Sequence, residues 1–176
     1  MRASAQRGLA AGARTRVVVA LALLALLLAP VVIRPSAAGA TTSVPAYRLV
    51  TSAGIVQGFG GVGGYGEVTA PLNQPVVGEA TTHNGGGFWM VAADGGIFSF
   101  GDAVFHGSTG ALHLNKPVVG MAADPATTGY WLVASDGGVF SFGAPFHGST
   151  GGYHLNEPVV GMAATPDGGG YWLVAA

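Results

Sequence analysis

The sequence predicts an all-β protein, a β-propeller-like array of about three four-stranded blades with partial blades at both ends. Three observations point there. One short phrase occurs four times, as Tyr47-Arg48-Leu49-Val50, Phe88-Trp89-Met90-Val91, Tyr130-Trp131-Leu132-Val133 and Tyr171-Trp172-Leu173-Val174. Its starts lie 41, 42 and 41 residues apart, and a period of about 40 to 45 residues fits a blade of four strands. Finally, the chain holds 31 glycines and only 9% charged residues, which suits close-packed sheets joined by tight turns.

The first forty residues read as a secretory signal. Arg2, Arg7, Arg14 and Arg16 precede an uncharged run from Val17 to Ile33, and Ala38-Gly39-Ala40 offers a small-residue cleavage site. The purely apolar core, Val17 to Ala29, is short for a membrane span of roughly 20 residues, and Pro30 interrupts it. Cleavage after Ala40 is expected, with Ser36-Ala37-Ala38 as a second site and an uncleaved N-terminal anchor as the alternative. The membrane would then be met only through this segment. Export places the repeat domain, residues 41–176, outside the cell or at the cell envelope.

Charge narrows the partners. The whole chain stands at −1, but the leader carries five arginines and no acid, so the repeat domain stands at −6 with Arg48 and Lys116 as its fixed cations. A nucleic-acid backbone requires a basic footprint, and none is present. There are no cysteines, so neither disulfides nor Cys-based zinc or redox sites enter. Stability must come from packing, and about 136 residues can bury on the order of two-thirds of their unfolded surface.

The unit is clearest from Leu114 to Ser149. Pro117-Val118-Val119-Gly120-Met121-Ala122-Ala123 is an apolar run opened by proline, which can begin a strand but not sit inside a central one. Asp124 to Gly129 is a turn cluster, matched by Thr82 to Gly87 and Thr165 to Gly170. Tyr130 to Ala134 is the second strand, apolar on both faces as stacking between neighbouring blades requires. Ser135-Asp136-Gly137-Gly138 reverses the chain, because Asp-Gly and Gly-Gly accept the positive φ of tight hairpins. Val139 to Phe142 is the third strand, and a weaker outer strand is expected around Phe146-His147-Gly148-Ser149. Over the whole domain this gives thirteen strands.

Gly129-Tyr130-Trp131-Leu132-Val133-Ala134-Ser135-Asp136-Gly137-Gly138-Val139-Phe140-Ser141-Phe142-Gly143, with Phe146 to Gly151 and Leu155-Asn156-Glu157-Pro158-Val159-Val160-Gly161-Met162-Ala163, resembles a repeat of secreted actinobacterial proteins. The resemblance covers the whole repeat domain. It implies propeller-like blades that accompany peptidoglycan hydrolases, other exported hydrolases or surface modules. The hairpin is also loosely similar to blades of the chromosome-condensation-regulator type. Neither resemblance brings an active site. The first repeat departs from the pattern, with Arg48 in place of Trp, Ala53 in place of Asp94 and Asp136, and Gln57-Gly58 in place of Phe98-Ser99. Atypical terminal repeats are usually caps. Propellers usually close with four to eight blades, so a homo-oligomer completing a ring is one expectation, beside an open array and a remnant of a longer protein.

Candidate chemistry is sparse. His106 and His147 recur at one repeat position, and His113 and His154 seven residues on. No Cys accompanies them and no acid lies between, so no metal or other cofactor is expected. His106-Gly107-Ser108 lacks the third group and nucleophile elbow that a catalytic triad needs. Asp94 and Asp136 are explained by their turns. The repeated neutral groups His106, Ser108, His147 and Ser149, with Asn115 and Asn156 of the Leu-Asn-x-Pro turns, suit a hydroxyl-rich ligand. Two functions follow. The first is a non-catalytic exported scaffold or binding module acting on a cell-wall glycan or envelope protein. The alternative is an accessory or remnant part of a cell-wall hydrolase or other secreted enzyme.

Overall fold

The computed structural model describes residues 46–176. The expected leader and its cleavage site fall on residues 1–40, outside the described residues. The described residues are all-β, with no helix among them.

Ten strands form four small antiparallel sheets. The first sheet pairs β1 (Tyr47–Val50) with β2 (Val56–Phe59). The second runs β3 (Val76–Thr81), β4 (Gly87–Ala92) and β5 (Ile97–Gly101). The third repeats it with β6 (Val118–Ala123), β7 (Tyr130–Ala134) and β8 (Val139–Phe142). The fourth pairs β9 (Val159–Ala164) with β10 (Tyr171–Ala175). Registers repeat as well: Trp89 faces Ala80 and Ser99, and Trp131 faces Ala122 and Ser141.

The sheets stack in chain order. Backbones of the leading strands approach closely at Gly78, Gly120 and Gly161, where a Cβ on Gly78 would lie 3.5 Å from the Cα of Gly120. One backbone hydrogen bond recurs at each junction: the amides of Val76, Val118 and Val159 donate to the carbonyls of Ser52, Ala93 and Ser135, each at 2.9 Å. Strands β4 and β7 are buried throughout, as their two apolar faces predict. Strands β9 and β10 make no contact with β1 or β2, so the array is open among the described residues.

The expected fourth, outer strand of each blade does not form, which corrects thirteen strands to ten. The chain leaves β5 and β8 at Gly101 and Gly143, whose φ of +66° and +65° turn it out of the sheet. Its backbone groups then bond to side chains. The carbonyls of Val104 and Pro145 accept the indole N–H of Trp89 and Trp131 at 2.9 and 2.7 Å. The Tyr130 hydroxyl donates to the Gly107 carbonyl at 2.6 Å and accepts from the His106 amide at 3.2 Å, and Tyr171 does the same with Gly148 and His147. A buried tyrosine needs a partner for its hydroxyl. Here that need is met by the outer segment of the preceding unit, which is therefore held between the indole of its own sheet and the tyrosine of the next, with no ladder pairing to β5 or β8.

The first repeat, expected to be a decayed cap, keeps the junction by other means. Trp89 packs on Tyr130 and Trp131 on Tyr171, ring centroids 5.3 Å apart in both cases. At the corresponding place the Arg48 guanidinium lies 3.9 Å from the Phe88 ring centroid and pairs with Glu79 at 3.1 Å.

Candidate functional site

The six polar residues singled out in the sequence fall in two kinds of place. The His106 ring is half-buried, and its Nε2 lies 3.1 Å from the Thr128 hydroxyl in the β6–β7 turn of the next unit. His147 is exposed and packs edgewise on Tyr171, centroids 5.8 Å apart. Ser149 serves a turn: its hydroxyl donates to the Gly137 carbonyl at 3.0 Å and accepts from the amides of Gly151 and Val139. Ser108 is half-buried beside Gly110. Asn115 and Asn156 are exposed in the loops that lead into β6 and β9. The turn touched by His106 precedes β7 and the turn touched by Ser149 follows it, so a five-residue strand, about 13 to 17 Å long, separates them. The structure therefore does not gather the six into one site.

It gathers a different set. Between the second and third sheets, at the end where β3 turns into β4 and β6 into β7, lies a cleft of about 380 Å³. One wall is the Thr82-His83-Asn84 turn with Asp102 and Val104, the other is Asp124 to Thr128, and Trp89 lies between. His106 borders it through Thr128.

The first wall is a hydrogen-bonded unit. Asn84 Nδ2 donates to Asp102 Oδ2 at 2.6 Å, and Thr82 Oγ1 lies 3.1 Å from Asp102 Oδ1 and 2.8 Å from Asn84 Oδ1. The amides of Gly86 and Gly87 donate to Asn84 Oδ1 and Thr82 Oγ1, both at 2.9 Å, fixing these side chains to the turn. The second wall is held by Asp124, a buried carboxylate that accepts the Ala126 amide at 2.9 Å and the Thr127 hydroxyl at 2.8 Å. Charge-assisted bonds of this kind are short and directional. The walls are thus preorganised, and the free hydrogen-bonding capacity of Asp102, Thr128 and His83 faces solvent in the cleft.

Asp102 has a traceable origin. Three steps separate Gly101 from Val104, the indole acceptor, and only two separate Gly143 from Pro145, its counterpart. The second unit is therefore one residue longer than the third at this point. That residue accounts for the 42-residue spacing among spacings of 41, and it brings the carboxylate to Thr82 and Asn84. The unequal spacing was the signal in the sequence that could have led to this cluster.

The sequence reading of Asp94 and Asp136 as turn residues agrees with their bonds. Their Oδ1 atoms accept the amides of Gly96 and Gly138 at 2.9 and 3.0 Å. In the last unit, hydrogen bonding to the Thr165 side chain and then to the Gly169 amide holds the Asp167 carboxyl below its ordinary range. Among the described residues no three His, Cys, Asp or Glu side chains are grouped to hold a metal ion.

No protein-family model matches the chain, and no curated protein is significantly similar to it.

Proposed function

We propose that this protein is an exported, non-catalytic repeat scaffold that binds a cell-envelope glycan in the cleft between its second and third units. Its sheets are the blades of a propeller-like array whose ring further copies complete. The observation that carries the reading is the Asp102 cluster. At the one place where a unit gains a residue, that residue builds a rigid polar wall facing a second polar wall across an open cleft.

The chemistry of the walls suits sugar hydroxyls. A carboxylate accepts two or more hydroxyl protons, an amide donates and accepts, and threonine hydroxyls do both. The repeat domain, at −6, favours a neutral ligand over a nucleic acid or other polyanion. Rigid copies assembled in one particle raise the avidity of weak sites.

Sedimentation of the protein with purified cell wall tests the reading. The wild type is expected in the pellet, and Asn84→Ala/Asp102→Ala in the supernatant with its fold intact by circular dichroism. Equal sedimentation of both forms would exclude the cleft. Release of soluble wall fragments would exclude a non-catalytic role.

A further inference from the structure

Each unit of this array has two faces that serve different purposes. One projects the Trp and Val of the second strand into the next unit, and the other receives them on a Tyr or Phe and a Leu or Met. Trp89 and Val91 pack with Tyr130 and Leu132 in one buried cluster. Phe88 and Met90 receive Val50 and Val56 of the first unit in another. Every residue of these central pairs in β4 and β7 is at most 2% exposed.

The two ends of the array carry one face each, and the faces match. On the last unit Trp172, Val174 and Val160 are 60, 55 and 52% exposed, the projecting set without a receiver among the described residues. On the first unit Tyr47, Leu49 and Phe59 are 54, 53 and 40% exposed, the receiving set without a projector among the described residues. Tyr47 and Phe59 stack with centroids 4.8 Å apart, as Phe88 and Phe100 do at 4.9 Å inside the array. The six residues include no charge, and exposed apolar patches of this kind mark interaction surfaces.

We infer that a second copy of this chain docks head to tail, its Tyr47–Leu49–Phe59 face on the Trp172–Val174–Val160 face of the first. Trp172 takes on Tyr47 the place that Trp131 takes on Tyr171. The contact continues an interface that the chain already makes internally between its second and third and its third and fourth units. Because the two faces differ, the association is heterologous, and successive copies either close a ring or extend a filament. The inference gives the ring-completion reading above its surface and is independent of what the cleft binds.

Sedimentation equilibrium over a range of concentrations tests it. The wild type is expected at multiples of the chain mass, and Trp172→Ala and Tyr47→Ala at the mass of one copy. The absence of cysteines permits a second readout. A mixture of Leu49→Cys and Val174→Cys chains should form a disulfide between the two variants, while neither variant alone does so. Trp172 is also the one exposed indole of three, so acrylamide quenching should fall as concentration rises. A single-copy mass at all concentrations would overturn the inference, as would a cross-link formed equally within either variant alone. If monomeric Trp172→Ala still sediments with cell wall, the cleft reading survives whatever happens to the interface.

Discussion

Arg48 and Glu79 form an ion pair at 3.1 Å in the place that Trp89 and Met121 hold at the next junction. Both members depart from the repeat together: Arg48 stands for Trp, and Glu79 stands where Met121 and Met162 stand. The Arg48 side chain is 3% exposed, and one of its nitrogens, Nε, has no hydrogen-bond partner among the described residues. An apolar pair has been exchanged for a charged one with the geometry of the junction kept.

Removing one member of a buried pair leaves a charge without its partner, whereas replacing both by packed apolar groups is often neutral or stabilising. Glu79→Met is therefore expected to destabilise the fold by roughly 1–3 kcal/mol, reduced from the fully buried case because Glu79 is 27% exposed. The double variant Arg48→Trp/Glu79→Met should recover that loss or exceed the wild type. Urea unfolding of the four proteins in the cycle measures the coupling.

Trp131 and Trp172 sit in the same five-residue phrase but in opposite surroundings, 0% and 60% exposed. Trp131→Ala is expected to lower stability by about 3–5 kcal/mol. Trp172→Ala should change it by less than about 1 kcal/mol at dilutions where single copies prevail. Equal losses at the two positions under those conditions would contradict the packing described.

Gly95 closes the β4–β5 hairpin at φ +79°, and a Cβ there would strike the hydroxyl of buried Thr109. The left-handed conformation alone costs a side-chain-bearing residue about 1–3 kcal/mol. Gly95→Ala should lose at least that much, and Gly95→Ala/Thr109→Ala, which removes the struck hydroxyl, should recover only part of it, because the backbone strain remains. Thermal melts of the two variants check this.

Burial raises the Tyr130 phenol above its ordinary value of 10.0, against the opposing effect of the His106 amide. The folded state therefore holds this proton more tightly than the unfolded chain. Its contribution to stability is fully present below about pH 10 and is lost as pH rises through the raised folded pKa. Tyr130→Phe should be less stable at neutral pH, through loss of the bond to the Gly107 carbonyl, and should show a shallower fall on the alkaline side. Tyr171, also raised by burial, leaves part of the alkaline fall in place. Urea midpoints at pH 7, 9 and 10.5 decide it.

The strand phrases, the turns and the all-β class were legible because they depend on local chemistry. Pro117 opens a strand, Asp136-Gly137 reverses one, and two apolar faces on Tyr130 to Ala134 require cover on both sides. The outer strand was misread because the segment from Phe146 to Ser149, though weaker than the inner strands, carries no residue that bars it from pairing with β8. What decided against it was the Tyr171 hydroxyl of another unit, which takes the His147 amide and the Gly148 carbonyl. The Arg48 substitution was visible, but its partner Glu79 lies 31 residues away, and nothing local marks the two as one exchange.

The candidate site divides in the same way. Asp102, Asn84 and Thr82 come from two turns some twenty residues apart, and only antiparallel pairing of β4 with β5 brings them to one edge. Asp124 came from a different sheet, and its place across the cleft depends on how units stack.

The sequence by itself determined the repeat, its period, the strands and the hairpins, because these follow from residue alternation and backbone preference within a few positions. The tertiary structure decided which copies of the same phrase are core and which are surface. Tyr130 to Ala134 and Tyr171 to Ala175 share the residues Tyr-Trp-Leu-Val-Ala, yet the first is buried throughout and the second is largely exposed. The physical reason is that burial belongs to the neighbour: a unit of this array cannot cover its own projecting face, and only the next unit can.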